Sequence, residues 1–121
     1  MTSIIDIEYL FDPMPRTELL KGTLDLLILR TLELEPRHGF SIAERLEQVT
    51  HGTFCVRPGS LFPSLHRLEG EGLVKSEWSA DDRGRRIKTY QVTAAGRKRL
   101  TAERKQWERI VRAVAQVLGE A

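Results

Sequence analysis

From Arg83 to Arg99 the chain carries no acidic residue, while Arg83, Arg85, Arg86, Lys88, Arg97, Lys98 and Arg99 all fall within that stretch. Long cationic side chains gathered in this way are what a polyanion meets, although a basic run taken alone equally describes a solvated face. A second group lies upstream, in Gly59-Ser60-Leu61-Phe62-Pro63-Ser64-Leu65-His66-Arg67. There, small residues let a backbone approach a groove wall, hydroxyls can bond phosphate oxygens, and an arginine can donate to guanine edges or phosphate. A third group, His38, His51 and Cys55, offers fewer loop ligands than the four a closed zinc site takes, so no metal site is expected. No nucleophile beside a base, no paired carboxylates in a glycine-rich site and no phosphate loop is present. The pattern speaks against an enzyme and calls for no cofactor.

The bulk numbers bound the rest. With 121 residues, 40% hydrophobic and 30% charged, the chain has the length and composition of one globular domain. Net charge is only +2, so the basic stretch is balanced elsewhere, by Asp6, Glu8, Asp12 and Glu18 among others. The single Cys55 forms no intrachain disulfide and no charged-then-apolar leader opens the sequence, which points to the reducing cytoplasm. The most apolar stretch, Leu19 to Leu34, is broken by Lys21, Asp25, Arg30 and Glu33, and no membrane segment is expected.

The elements that must position these groups follow from periodicity and punctuation. Residues 1–16 contain Asp12-Pro13-Met14-Pro15 and read as an irregular arm. Thr17 can cap a first helix to about Leu34, with Leu20, Leu24, Leu27, Ile28 and Leu32 at helical spacing. Leu19, Leu26, Leu29 and Leu34 widen that stripe, which suggests a partner subunit against the first helix. After a turn at Pro36 to Gly39, Ser41-Ile42-Ala43-Glu44 has the form of a capping box, starting a second helix with Ile42, Leu46 and Val49 inward. A third helix begins near Pro58 to Ser60 and ends around Gly70 to Gly72, and a Ser60 cap would leave Pro63 in the first turn. Leu73 to Ser79 and Ile87 to Val92 form a two-stranded hairpin around a basic, glycine-containing loop. Val74 and Trp78 share a face, as do Tyr90 and Val92. Thr93 then caps a long last helix to about Leu118.

Three helices, a hairpin and a final helix, in that order, predict a mainly α (α+β) fold, a winged helix-turn-helix with a two-stranded β wing. In such folds the helix before the hairpin enters the major groove of double-stranded DNA. On that helix Leu61, Leu65 and Leu68 make the buried stripe, leaving Gly59, Ser60, Phe62, Pro63, Ser64, His66 and Arg67 toward DNA. Ser41 at the second helix start and the wing cations Arg83, Arg85, Arg86 and Lys88 complete the expected DNA-binding set, the latter reaching phosphate or a minor groove. Asp81 and Asp82 would repel phosphate unless they orient the arginines.

Oligomeric state is legible in the last helix. Leu100, Trp107 and Val114 recur every seven residues, with Ile110, Val111, Val117 and Leu118 between them. Packing on its own domain is one outcome; helix length and the broad first helix favour a homodimer, with Leu20 and Leu24 joining these residues at the interface.

These segments resemble the PadR-like transcriptional regulators over about Leu20 to Leu118. The resemblance is carried by Gly22-Thr23-Leu24-Asp25-Leu26-Leu27-Ile28-Leu29, His38-Gly39-Phe40, Gly59 to Glu69, Glu71-Gly72-Leu73-Val74, Trp78, Gly84-Arg85-Arg86 and Tyr90 to Gly96. With one C-terminal helix the chain is similar to the short subgroup. The resemblance implies a homodimer joined through the last and first helices, usually repressing. It implies recognition by Ser60, Phe62, Pro63, His66 and Arg67, and wing contacts by Arg85, Arg86 and Lys88. Where the family usually has Tyr this chain has Phe62, and a missing phosphate bond there would be worth about 1 kcal/mol. Some members bind planar aromatic effectors between subunits, and Trp107 matches the tryptophan that sandwiches them; filling the dimer seam is the plainer role for Trp107.

The expected organisation is therefore an arm at 1–16, a winged helix-turn-helix DNA-binding domain at 17–93 and a dimerisation helix at 94–121. The expected function is a cytoplasmic, dimeric repressor on a pseudo-palindromic operator, released by a small planar or hydrophobic effector. The alternatives are a winged-helix module that binds only protein, and a metal-responsive regulator.

Overall fold

The computed structural model describes residues 14–119, with side chains from 22 onward. Helix α1 (Met14–Leu34) is followed by β1 (Arg37–His38), α2 (Gly39–Val49), α3 (Pro58–Gly70), β2 (Val74–Ala80), β3 (Arg86–Val92) and α4 (Ala94–Val117). Helix α1 opens at Met14, ahead of the expected cap at Thr17, with Pro15 in the first turn where no intrahelical donor is required. Residues 14–16 are thus helical, while the remainder of the expected arm and the side chains of Leu19 and Leu20 lie outside the described residues.

The breadth of the α1 stripe has an internal cause. Helix α1 packs against α2, α3, α4 and β3. Leu24, Leu26, Ile28, Leu29 and Leu32 are accordingly all buried within one chain, joined by Ile42, Leu46, Leu61, Leu65, Leu68, Leu73, Val74, Tyr90, Val92 and Leu100. This corrects the expected interface roles of Leu24 and Leu100, which belong to the core. A helix surrounded on several sides needs apolar residues on several faces.

Helix α2 starts at Gly39, not at the expected Ser41-to-Glu44 box. His38 is its cap, with Nδ1 accepting from the Ser41 backbone N–H at 3.2 Å, and the Ser41 hydroxyl accepts from Arg37 Nη1 at 2.7 Å. Gly39 lies against α3, and a Cβ there would meet Phe62 Cε1 at 2.5 Å. Ile42 and Leu46 point inward, whereas Val49, expected inward, is exposed in the last turn. The chain then turns through His51 and Gly52, both at positive φ.

Helix α3 begins one turn earlier than a Ser60 cap implies, with Arg57 at the cap and Pro58 first. Pro63 is therefore interior, where it cannot donate to the carbonyl of Gly59. The sheet has three antiparallel strands in the order β1-β3-β2, not the expected two. The short β1 pairs Arg37 with Tyr90 and His38 with Thr89, and the hairpin register sets Val74 opposite Val92, Ser76 opposite Tyr90 and Trp78 opposite Lys88. Val74, Tyr90 and Val92 cover the helical core. Trp78 shares their face but stands exposed farther along the hairpin, where it projects past the helices.

Helix α4 is set by its first turns. Thr93 Oγ1 accepts from the Gly96 N–H at 3.0 Å and donates to the Gly72 carbonyl at 2.7 Å, and Leu73 O accepts from the Thr93 N–H. Beyond Leu100 no described residue of this helix is buried. Trp107, Ile110, Val111, Val114, Val117 and Leu118 stand open, Val114 at 51% of its full accessibility.

Candidate nucleic-acid interface

The buried side of α3 is Leu61, Ser64, Leu65 and Leu68, and the exposed side is Pro58, Gly59, Ser60, Pro63, His66 and Gly70. Ser64 is 5% accessible and cannot be offered to a groove. That corrects its expected contact role: Ser64 lies three positions after Leu61 and four before Leu68, squarely on the core stripe. Phe62 is half-buried, its ring edge-on to the exposed Phe40 at 5.4 Å, so an aromatic pair borders the exposed face. The N-terminal half of this face has no acidic residue.

Arg67 takes a different course from that expected. Its Nη2 donates to both carboxylate oxygens of Asp25 on α1, at 2.6 and 2.7 Å. That bond, before any other influence, raises the arginine's already high pKa. The C-terminal end of α3 is tied to the wing. Glu69 accepts from the Ser76 hydroxyl and lies 3.5 Å from Lys88 Nζ. The Ser76 bond first, and the Lys88 charge after it, hold the Glu69 carboxyl below its ordinary pKa.

A pH dependence follows. A carboxylate whose folded pKa is depressed stabilises the fold fully above its unfolded value of about 4.3 and loses that contribution as pH falls through the lower folded value. Ser76→Ala should therefore lose about 1 kcal/mol at neutral pH, given that Glu69 is partly solvated, and the gap to wild type should narrow below about pH 4. Urea midpoints at the two pH values measure it. An equal gap at both would remove the Glu69 charge from the explanation.

The wing loop is built around Asp81. Its Oδ1 accepts from the backbone N–H groups of Arg83 and Arg85 at 2.9 and 2.8 Å, and Oδ2 accepts from Arg85 Nε at 2.8 Å. The Arg85 backbone bond leads in holding the Asp81 carboxyl below its usual range. Gly84, at φ +78°, supplies the left-handed residue the turn needs. Asp81 therefore shapes the loop and orients the Arg85 side chain. Beside the loop, the Arg86 guanidinium lies 4.4 Å from the Trp78 ring centroid, and Lys88 Nζ lies 5.8 Å from Trp78 and 5.4 Å from Tyr90. An exposed indole thus carries two of the expected wing cations on its face.

The residues of the core and wing match a family model. The model of the "Transcriptional regulator PadR-like family" covers residues 28–102, which takes in the end of α1, both following helices, the hairpin and the start of α4. The chain belongs to this family. It is similar to transcriptional regulator Rv3488 of Mycobacterium tuberculosis, 43% identical over 77 residues, 64% of this chain and 68% of that protein. Among solved structures it resembles a PadR family regulator from Eggerthella lenta, with TM-score 0.73, 31% identity and coverage of 88% of this chain and 91% of that one. A PadR-like regulator from Bacillus cereus gives TM-score 0.72 at 29% identity, covering 84% and 96%. The chain is thus a transcriptional regulator with the PadR winged-helix fold, and not an enzyme.

Placed on the PadR fold, the remaining candidates sort by position. Gly59, Ser60, Pro63 and His66 are brought together on one exposed helix face, and Arg83, Arg85 and Arg86 are exposed on the wing, while Ser41 serves Arg37. His38 spends Nδ1 on the α2 cap, and Cys55 Sγ faces the Gly52 carbonyl at 3.9 Å. No cluster of three or more metal-ligating side chains occurs among the described residues. Among those residues, too, no helix is long and apolar enough to cross a membrane. Three positioning groups escape the sequence reading: Asp25, Glu69 and the shelf formed by Trp78. The signal for Asp25 was a carboxylate set directly between the core leucines Leu24 and Leu26. The strand alternation that paired Trp78 with Val74 also set it two positions from Ser76 and opposite Lys88, once the register is known.

Proposed function

We propose that this PadR-family regulator is a cytoplasmic repressor that binds a pseudo-palindromic operator as a homodimer, laying α3 in the major groove and the wing on the flanking backbone. The observation that carries the reading is the pre-ordered wing. Asp81 holds the loop backbone at Arg83 and Arg85 and the Arg85 side chain, and Arg86 is stacked on Trp78, directly after a helix whose exposed N-terminal half is free of acid. Cations already ordered lose less conformational freedom on meeting phosphate. The apolar stripe from Trp107 to Leu118 supports the dimer, because a row of exposed aliphatic side chains on a terminal helix is most simply covered by a second copy. A planar aromatic effector acts as the releasing signal in this reading, with Trp107 lining its site between subunits.

Gel-shift titration against the protein's own upstream DNA at several salt concentrations tests it. Wild type should retard a probe with steep salt dependence. The Arg83→Gln/Arg85→Gln/Arg86→Gln variant should bind more weakly, with a log–log salt slope shallower by about 0.9 for each phosphate that is no longer neutralised. No retardation at low salt, or an unchanged slope in the triple variant, would exclude DNA contact by the wing and favour a protein-binding module. Tryptophan fluorescence during addition of planar aromatics, compared with Trp107→Phe, tests the effector. Quenching that ignores the substitution removes Trp107 from that site.

A further inference from the structure

We propose that Arg67 serves DNA binding by position and not by contact, its ion pair with Asp25 bolting the reading helix α3 to the central helix α1. The inference rests on the DNA-binding reading above. Arg67 and Asp25 are 42 residues apart in sequence, and Nη2 closes on both carboxylate oxygens within 2.7 Å. The side chains are 36% and 21% accessible, so the pair is partly withdrawn from solvent and only partly screened. Arg67 has one Nη on both carboxylate oxygens and would have to break the pair to use that nitrogen on a base or phosphate, whereas Arg85, 72% accessible, meets Asp81 through Nε alone.

The rest of α3 explains why such a bolt is needed. Its cap makes no side-chain hydrogen bond, and its attachment to the core runs through Leu61, Leu65 and Leu68, contacts that resist removal but are not directional. Among the described residues two polar ties start from α3 itself, Glu69 to Ser76 and Lys88 on the wing and Arg67 to α1, and Glu71 at its cap lies 3.8 Å from Arg99 on α4. Since α1 also packs on α4, the second tie refers the angle of the reading helix to the helix that carries the open apolar stripe.

Operator binding by Asp25→Asn, Arg67→Gln and the double variant separates position from contact, with helicity and melting temperature followed alongside. Electrostatics alone would make Asp25→Asn bind a polyanion more tightly. The bolt predicts the reverse, each single variant losing about tenfold in affinity and the double losing no more than either, because both break one coupled pair. The salt slope and the base preference at each operator position should stay as in wild type, which a phosphate-contacting or guanine-reading arginine could not do. Unchanged or tighter binding by Asp25→Asn overturns the proposal, as does a slope shallower by about 0.9 or a relaxed base preference in Arg67→Gln. If Asp25→Asn fails to fold, the slope and base preference of Arg67→Gln decide alone. If both fail, Arg67→Lys decides by base preference, which an ammonium still paired with Asp25 leaves intact. Wild type that retards no probe overturns the DNA reading itself, an outcome distinct from wild-type binding with an indifferent Asp25→Asn.

Discussion

Val114→Asp should yield a folded monomer that no longer holds its operator. Val114 is half exposed, and the residues of α4 that enter the core are Gly96 and Leu100, more than three turns away. The substitution therefore leaves the domain's own packing untouched. In a two-fold seam it would place two carboxylates in an apolar interface without partners, a charge burial costing several kcal/mol per ion. Sedimentation velocity should show the mass halved, with unchanged helicity. Operator affinity should fall by about 10²–10⁴, the loss that follows when two half-site contacts cease to be tethered. A variant that sediments at the wild-type mass would move the proposed interface off this stripe.

The second large effect concerns the joint between the wing domain and α4. At Gly96 a Cβ would sit 2.1 Å from the Leu73 carbonyl oxygen and 2.7 Å from Val92 Cγ2. The nearest obstacle is backbone, and that same oxygen accepts the Thr93 N–H that positions the helix start. Gly96→Ala must therefore push α4 off the hairpin or break its cap, and should destabilise by about 3 kcal/mol or more in urea titration. Gly70→Ala is the control: nothing lies within 4 Å of a Cβ there, and its stability should equal or slightly exceed that of wild type. Equal midpoints for both variants would show that the joint yields without cost.

Much of this was legible because local patterns and tertiary demands agree. The heptad spacing on the last helix needed no structure to read, since a helix this long and amphipathic must cover its stripe. The hairpin and its glycine turn were similarly plain. The misreadings share one cause. Ser41 and Ser60 are good caps in isolation, yet the chain enters α2 directly from a strand whose pairing with Tyr90 and Thr89 makes His38 the last extended residue, and α3 starts at Pro58. Leu24 and Leu100 carry interface periodicity, but a stripe does not say which surface covers it.

By itself the sequence determined the order of the helices and the hairpin, the winged helix-turn-helix class, the basic wing and the apolar stripe of the last helix, because these depend on spacing along the chain, while the short β1 escaped it. Only the tertiary structure decided which charges are spoken for. Arg67 meets Asp25 and Lys88 meets Glu69, while Arg86 is left on the Trp78 ring with no acid beside it among the described residues, and these placements depend on how helices and strands cross. A short-range interaction between residues far apart in sequence leaves no period to read, so the assignment of cations to DNA or to the fold had to wait for their neighbours.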